Sequence, residues 1–512
     1  MSSDSDSVIR TLVKGGGILF IGFVLELSLS FGAKLLMARL LEKTSYGSVS
    51  LGIVLAANVS TILLFGLNIG VARYLPRVNG SAKERGLIRT AFVSTVPVAV
   101  TVAAIIYILS DPIAIVVFDD PSIASELTIF ALAIPFAVLM KLGVGVVQGK
   151  KLALPKVLIR QIAQPVSRFV FITLALWFGL ASMGVSWAYV ASYAVAAFLA
   201  MYFVVRYVSL PGTGPSTQMR GELFSFSAPL AVSSVTMLVF SGIGIDTLMI
   251  GYFGTTEAVA DYNVVFPLAS VLTLVFTSFS FIFMPVLSEL HAEERGDELR
   301  RLYTVVTKWI FLGTLPLFLL FVFFPNEAIS YTFGSNYSEA GTALTVLAVG
   351  FFSHTLVGPN ESTLNSIGAT KHVMYDNITA AVVNIMINFL LIPTYGIIGA
   401  AVGTTVAYII LNSLYSYHVF VLTGVHPFSM AMLKPGIGGI VIGLVVYFIV
   451  TSAFQITPLV LVAASLVYAI FYTVAVLLLG GVEREEVMLV LSFEERFGVD
   501  LGPLKRVVNR LL

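Results

Sequence analysis

GGGILFIGFVLELSLSFGAKLLMAR, residues 15–39, is apolar along its whole length except for Glu26, Lys34 and Arg39. A helix of about 20 apolar residues crosses the hydrocarbon of a bilayer, so the stretch reads as a membrane span. An ionisable group at that depth costs several kcal/mol or more unless it faces a cavity or a partner. Such groups therefore mark a path for something charged. Two further cations interrupt later apolar stretches of the first half, Lys141 and Arg168. In the second half an acid, Asp246, stands where the first span has Lys34.

The rest of the chain follows this opening. It has 512 residues, 58% of them hydrophobic and 11% charged, with a mean hydropathy of +0.97. A soluble domain of that length has too little interior to hide so much apolar surface. About 14 spans are expected, near 15–39, 47–73, 90–110, 124–147, 157–179, 184–207, 224–251, 262–287, 303–324, 341–366, 373–393, 397–421, 435–453 and 458–480. The fold class is an all-α polytopic membrane protein. A net charge of +1 gives no case for nucleic acid. The absence of cysteine excludes disulfides, thiolate catalysis and Cys-based metal sites. The polar start, Met1 to Ser7, has no signal-peptide pattern, so the first span is expected to act as the insertion signal.

Charge alternates between connectors. One set holds Arg77, Lys83, Arg85 and Arg89, then Lys150, Lys151 and Lys156, then Arg220, Arg295, Arg300, Arg301, Lys371 and Lys434. The other holds Asp111, Asp119, Asp120, Glu257, Asp261, Glu327 and Glu339, with Lys43 its sole base. By the positive-inside rule the basic set and both termini are cytoplasmic in a cell membrane. Pro211, Gly212, Gly214 and Pro215 mark a linker. The expected organisation is an N-terminal lobe over 1–208, a linker over 209–222 and a C-terminal lobe over 223–422. Two further spans follow over 423–481, then an amphipathic cytoplasmic tail over 482–512.

The two lobes look like weak repeats of six spans. Lys34-Leu-Leu-Met37-Ala-Arg39 aligns with Asp246-Thr-Leu-Met249-Ile-Gly251, each followed by a tyrosine, Tyr46 and Tyr262. Ala38-Arg39-Leu-Leu…Tyr46-Gly47, then Gly66-Leu67-Asn68-Ile-Gly70…Arg73-Tyr74-Leu75, resembles the polysaccharide-exporter branch of the multidrug/oligosaccharidyl-lipid/polysaccharide superfamily. Gly368-Ala-Thr-Lys371 and Asn384…Asn388…Ile392-Pro393…Gly396…Gly399-Ala400-Ala401 are similar to the same family's later spans. The resemblance implies two six-helix bundles around a central cavity, two extra C-terminal helices, and flipping of a lipid-linked oligosaccharide by alternating access. It also implies membrane lipids, and glycan polymerases or glycosyltransferases, as partners of a monomeric chain. A transporter is expected rather than an enzyme.

A lipid-linked oligosaccharide carries a (pyro)phosphate, which needs cations at membrane depth. Lys34, Arg39, Arg73, Lys141 and Arg168 are the candidates. Arg39, Arg73 and Lys141 read equally well as snorkelling to the interface, and Lys34 and Arg168 as an internal salt bridge. Glu26 is a proton-carrying candidate or a structural partner for Arg168 or Lys141. In the second half Asp246, Asn384, Asn388, Ala400 and Thr404 offer a carboxylate, two amide oxygens, a backbone carbonyl and a hydroxyl. Such hard oxygens suit Na⁺, and the spacing is similar to the sodium site of lipid II flippases. It departs by placing Asn388 where an acid is expected. An interhelical hydrogen-bond network is the other reading. The alternative function is a cation-coupled multidrug antiporter of the same superfamily, disfavoured by the excess of cations in the first lobe.

Overall fold

The computed structural model describes residues 22–208, 220–240 and 244–481. Residues 209–219 of the expected linker and the whole tail over 482–512 lie outside the described residues. Every regular element among the described residues is a helix. Residues 22–40 form α1. It is followed by α2 (Lys43–Leu63), α3 (Leu67–Tyr74), α4 (Ser81–Ile108), α5 (Ala124–Gly149), α6 (Ala153–Trp177), α7 (Ala181–Tyr207), α8 (Arg220–Phe240) and α9 (Ile245–Phe253). Then come α10 (Thr256–Ser270), α11 (Thr273–Ala292), α12 (Gly296–Phe323), α13 (Pro325–Thr332), α14 (Gly341–Leu356), α15 (Asn360–Ser366), α16 (Thr370–Thr423), α17 (Met430–Ala453) and α18 (Pro458–Leu478).

Eleven described helices are long and apolar enough to cross a membrane, or twelve if the bent pair α10–α11 is one span. The fourteen expected spans differ from this count at two places. The first begins outside the described residues, and residues 370–423 count as one run. That run is a hairpin. Gly396 leaves helical geometry at φ 55°, ψ −130°. A Cβ on Gly399 would stand 2.5 Å from the carbonyl of Leu391, although eight helical residues span about 12 Å. The expected spans 373–393 and 397–421 meet at this reversal.

The chain falls into two compact units. One comprises 1–267, 332–337 and 385–400, the other 268–331, 338–384 and 401–512. The first unit thus takes in α8, α9 and most of α10, which the sequence assigns to the second lobe.

In the first unit α5 is buried over most of its length and, Glu126 and Lys141 apart, carries apolar and small residues around its circumference, as a central helix does. Without a hydrophobic drive between helices in lipid, close approach depends on small residues. A Cβ on Gly145 would lie 2.3 Å from the Asn68 carbonyl oxygen, and one on Gly52 2.1 Å from the Phe130 ring. The Gly66…Gly70 motif has the same purpose. Gly66 is left-handed (φ 70°) and a Cβ there would meet the backbone of α8 at Ala231, while Gly70 lies against Ser227. Gly47 after Tyr46 admits the carbonyl of Thr256, at 2.0 Å from a Cβ.

The second unit centres on α12. Phe311, Leu312, Leu315 and Leu319 pack against Met432, Tyr468, Tyr472 and Val476. Gly436, Gly439 and Gly443 of α17 receive Phe311, Tyr472 and Leu319. The last two helices are therefore packed into this unit rather than hung beside it.

Acidic connectors converge at one end of the first unit. Lys43 pairs with Asp261 at 2.7 Å, and Thr44 donates to Glu257 at 2.7 Å. Asp120 accepts from Ser122 (N at 3.0 Å, Oγ at 2.6 Å) and from Thr256 Oγ1. Partial burial opposes ionisation of Asp120, but these hydrogen bonds outweigh it and hold its carboxyl below the ordinary value. A depressed pKa gives stability that is present above the unfolded value, about 3.9, and is lost as pH falls through the folded one. Thermal unfolding of purified protein should therefore show wild type above Asp120→Asn at neutral pH. The gap should close as pH falls through the carboxylate range. A pH-independent gap would contradict the assignment.

Candidate anion site in the first unit

The site is built on α1 and α6, which run side by side in the same direction. A Cβ on Gly22 would meet the Gln161 side chain at 2.3 Å, and Gly32 lies against Phe169. Between these contacts Arg168 Nη2 donates to Ser30 Oγ. Arg168 also lies over the ring of Tyr189, 5.6 Å from its centroid, as a cation desolvated beside an aromatic face does. Lys34, one turn beyond Ser30, is within electrostatic range of Arg168. Among the described residues it has no carboxylate partner.

Upstream, α6 widens into a π turn over Leu158–Ala163. Pro165 supplies no N–H for the Gln161 carbonyl and its ring crowds that oxygen. A π turn is a frequent feature of functional sites, and here it carries Arg160. Arg160 is exposed and within electrostatic range of Glu26, Lys141 and Lys156; Arg168 is also in range of Glu26.

Lys141 enters from α5. Its Nζ donates to Ser60 Oγ and Thr61 Oγ1, both at 2.8 Å, and to the Ala57 carbonyl at 3.4 Å. An ammonium has three donors, and all three meet neutral oxygens of α2. Lys141 thus turns inward to α2 rather than snorkelling to an interface. Asn58, the next residue along α2 from Ala57, is buried with both amide atoms unpartnered.

Glu26 is thus in electrostatic range of Arg160 and Arg168, while Lys34 is in range of Arg168, and Lys141 and Lys156 of Arg160. Like charges gathered in a low dielectric repel strongly, and an anion among them relieves that cost.

Arg39 and Arg73 lie apart from this group. Arg39 is exposed at the end of α1, with Nε on the Thr332 carbonyl at 2.8 Å. Arg73 is exposed in a cleft with Tyr74, Glu222 and Phe226. Arg160, Lys156 and Asn58 were not singled out from sequence. The signal available was spacing, because Arg160 and Arg168 are eight apart on α6 as Glu26 and Lys34 are on α1.

Of the second candidate set, Asp246 and Asn388 meet within the first unit. Asp246 is buried at the start of α9. Its Oδ1 accepts from Asn388 Nδ2 and its Oδ2 from Tyr262 Oη, both at 2.7 Å. In the second unit Asn384 Nδ2 donates to Thr404 Oγ1 at 3.4 Å; Ala400, in the first unit, is fully buried. Among the described residues no three His, Asp or Glu side chains are placed to hold a metal ion. By donor chemistry this set fits a small hard cation. Its contacts are those of a hydrogen-bond network.

Comparison with known proteins agrees with this architecture. A family described as polysaccharide biosynthesis protein matches residues 12–291, and one described as MatE matches 229–390. An uncharacterised membrane protein of Methanocaldococcus jannaschii is 32% identical over 205 residues, which is 38% of each chain. A probable low-salt glycan biosynthesis flippase of Haloferax volcanii is 24% identical over 208 residues, 40% of this chain and 43% of that one. The chain therefore spans about two fifths of the length of the curated relatives it matches. The lipid II flippase MurJ, in an inward closed conformation, superposes with a TM-score of 0.72 at 12% identity, covering 89% of this chain and 97% of that one.

Burying an ammonium is costly even when it is hydrogen-bonded, and Ser60 and Thr61 keep their own bonds to the Ala57 carbonyl when it is removed. Lys141→Met should therefore leave the ligand-free thermal midpoint unchanged or raised. A midpoint lowered by several degrees would show that Lys141 is a structural peg.

Proposed function

This chain belongs to the polysaccharide biosynthesis protein family, and on that basis we propose that it flips a lipid-linked (pyro)phosphate oligosaccharide from the cytoplasmic to the outer leaflet. The observation that carries the reading is the chain of cations in the first unit, Lys34, Arg168, Arg160, Lys141 and Lys156, with Glu26 in range of the two arginines only. Headgroup phosphate is a polyanion with acceptor oxygens on every side. Guanidinium binds such oxygens bidentately and ammonium as a point charge. Arg168 and Lys34 lie within the apolar runs of α6 and α1, where their positive charge offsets the cost of bringing phosphate to membrane depth.

Alternating access is the mechanism that fits a fold like that of MurJ. Asp246, Asn384, Asn388, Ala400 and Thr404 are the residues that would hold Na⁺ as coupling ion, its charge balanced by Asp246 alone. Both termini are assigned to the cytoplasm and the chain to the plasma membrane. It acts as a monomer on membrane lipid-borne glycans supplied by glycosyltransferases and passed on to a glycan polymerase or transferase. It acts as a transporter without catalysis.

A cation-coupled multidrug antiporter is the second reading, favoured by the MatE match over 229–390. A site with five cations and one acid repels organic cations, which places it second.

Proteoliposomes loaded with a fluorescent lipid-linked sugar test this directly, with and without a Na⁺ gradient. Wild type should flip the lipid. Lys34→Gln and Arg168→Gln should each slow flipping by about tenfold or more at equal protein levels, the loss of one charge-assisted contact. Equal rates in all three would remove these residues from the site.

A further inference from the structure

We propose that Glu26 is the resident counter-anion of the cationic strip and that Arg160 is a second phosphate-binding group. Phosphate entering between α1 and α6 takes over cations that Glu26 balances in its absence. This rests on the anionic-headgroup reading above.

The register of the two helices carries the inference. Gly22 lies against Gln161 and Ser30 is bonded to Arg168. Glu26 is one turn from each, so its side chain leaves α1 on the same face. Arg160 and Arg168 then flank the carboxylate along α6, and both act on it. Among the described residues neither arginine closes an ion pair with Glu26. The carboxylate balances two cations without being locked to either.

Groups along this strip are left for a ligand. Arg168 uses Nη2 on Ser30 and its face on Tyr189, while its buried Nε donor has no partner. Arg160 adds a guanidinium on the π turn, with Lys141 and Lys156 in range of it.

A phosphate brings more charge and more acceptor oxygens to these donors than a carboxylate does. Once bound, it faces Glu26 as a like charge. Glu26 must then swing away or take up a proton. In the empty site Glu26 limits mutual repulsion among the cations. It also lowers affinity for the anion, so that the headgroup can leave. Under the orientation given above, Lys156 and Arg160 are reached first from the cytoplasm and Arg168 with Lys34 last, which makes Arg160 the entry contact.

The test is calorimetric titration of the purified full-length chain in detergent, with geranyl pyrophosphate as probe. Wild type should bind it. The isosteric Glu26→Gln should bind at least about threefold more tightly, because a competing anion is gone. Arg160→Ala should bind about tenfold more weakly, and Arg160→Lys should recover part of that loss. A purely structural role for Glu26 does not give tighter binding. Unchanged or weaker binding by Glu26→Gln, or unchanged binding by Arg160→Ala, would overturn the proposal while leaving the headgroup reading intact. Failure of wild type to bind the probe would overturn the headgroup reading itself, and this proposal with it.

Discussion

A cation inside hydrocarbon has no water to solvate it, and the first unit bonds its buried cations to neutral oxygens, with Glu26 nearby but, among the described residues, closing no ion pair. Lys141 is held by Ser60, Thr61 and the Ala57 carbonyl. Arg168 is held by Ser30 and the face of Tyr189. Hydroxyls and carbonyls solvate a charge without cancelling it. The positive potential therefore survives burial, whereas an ion pair would have quenched it. Helix order, glycine contacts and the π turn of α6 matter chiefly because they bring these charges to one strip.

That strip depends on backbones lying closer than ordinary side chains allow. Gly22 and Gly32 let α1 run along α6, and Gly145 and Gly52 let α3 and α2 reach α5. In water such contacts would be one contribution among larger hydrophobic terms. In lipid they are a main means by which helices associate. The family-like motifs Tyr46-Gly47 and Gly66…Gly70 turn out to be packing devices. Each glycine admits another helix's backbone or a serine hydroxyl.

Much of the fold was legible in the sequence because apolar runs and connector charge report spans and their alternation directly. Lys43, Asp120, Glu257 and Asp261, all placed in one connector set, do converge at one end of the first unit. The site was legible only in part. Lys34, Lys141, Arg168 and Glu26 stood out as charges in apolar surroundings; Arg168 lies in range of Lys34 and Glu26, while Lys141 is held on α2. Arg39 and Arg73 carried the same signal but sit at helix ends, since depth cannot be read from residue type. Arg160 went unnoticed because it lies near the start of its span, where a cation is ordinary. It lies on the π turn before Pro165, within electrostatic range of Glu26 and Lys141. The oxygen set around Asp246 was expected from spacing, yet its hydrogen bonds fall separately within the two units, Asp246 with Asn388 and Asn384 with Thr404.

The central claim is that the first unit selects its cargo by the charge of the headgroup. Flipping rates of two fluorescent lipids in the same proteoliposomes measure this most directly. Both carry the same isoprenoid and sugar, one joined through pyrophosphate and the other through a neutral ether. The pyrophosphate lipid should cross at least about tenfold faster, as expected if even one charge-assisted contact distinguishes them. Equal rates for the two would contradict the claim.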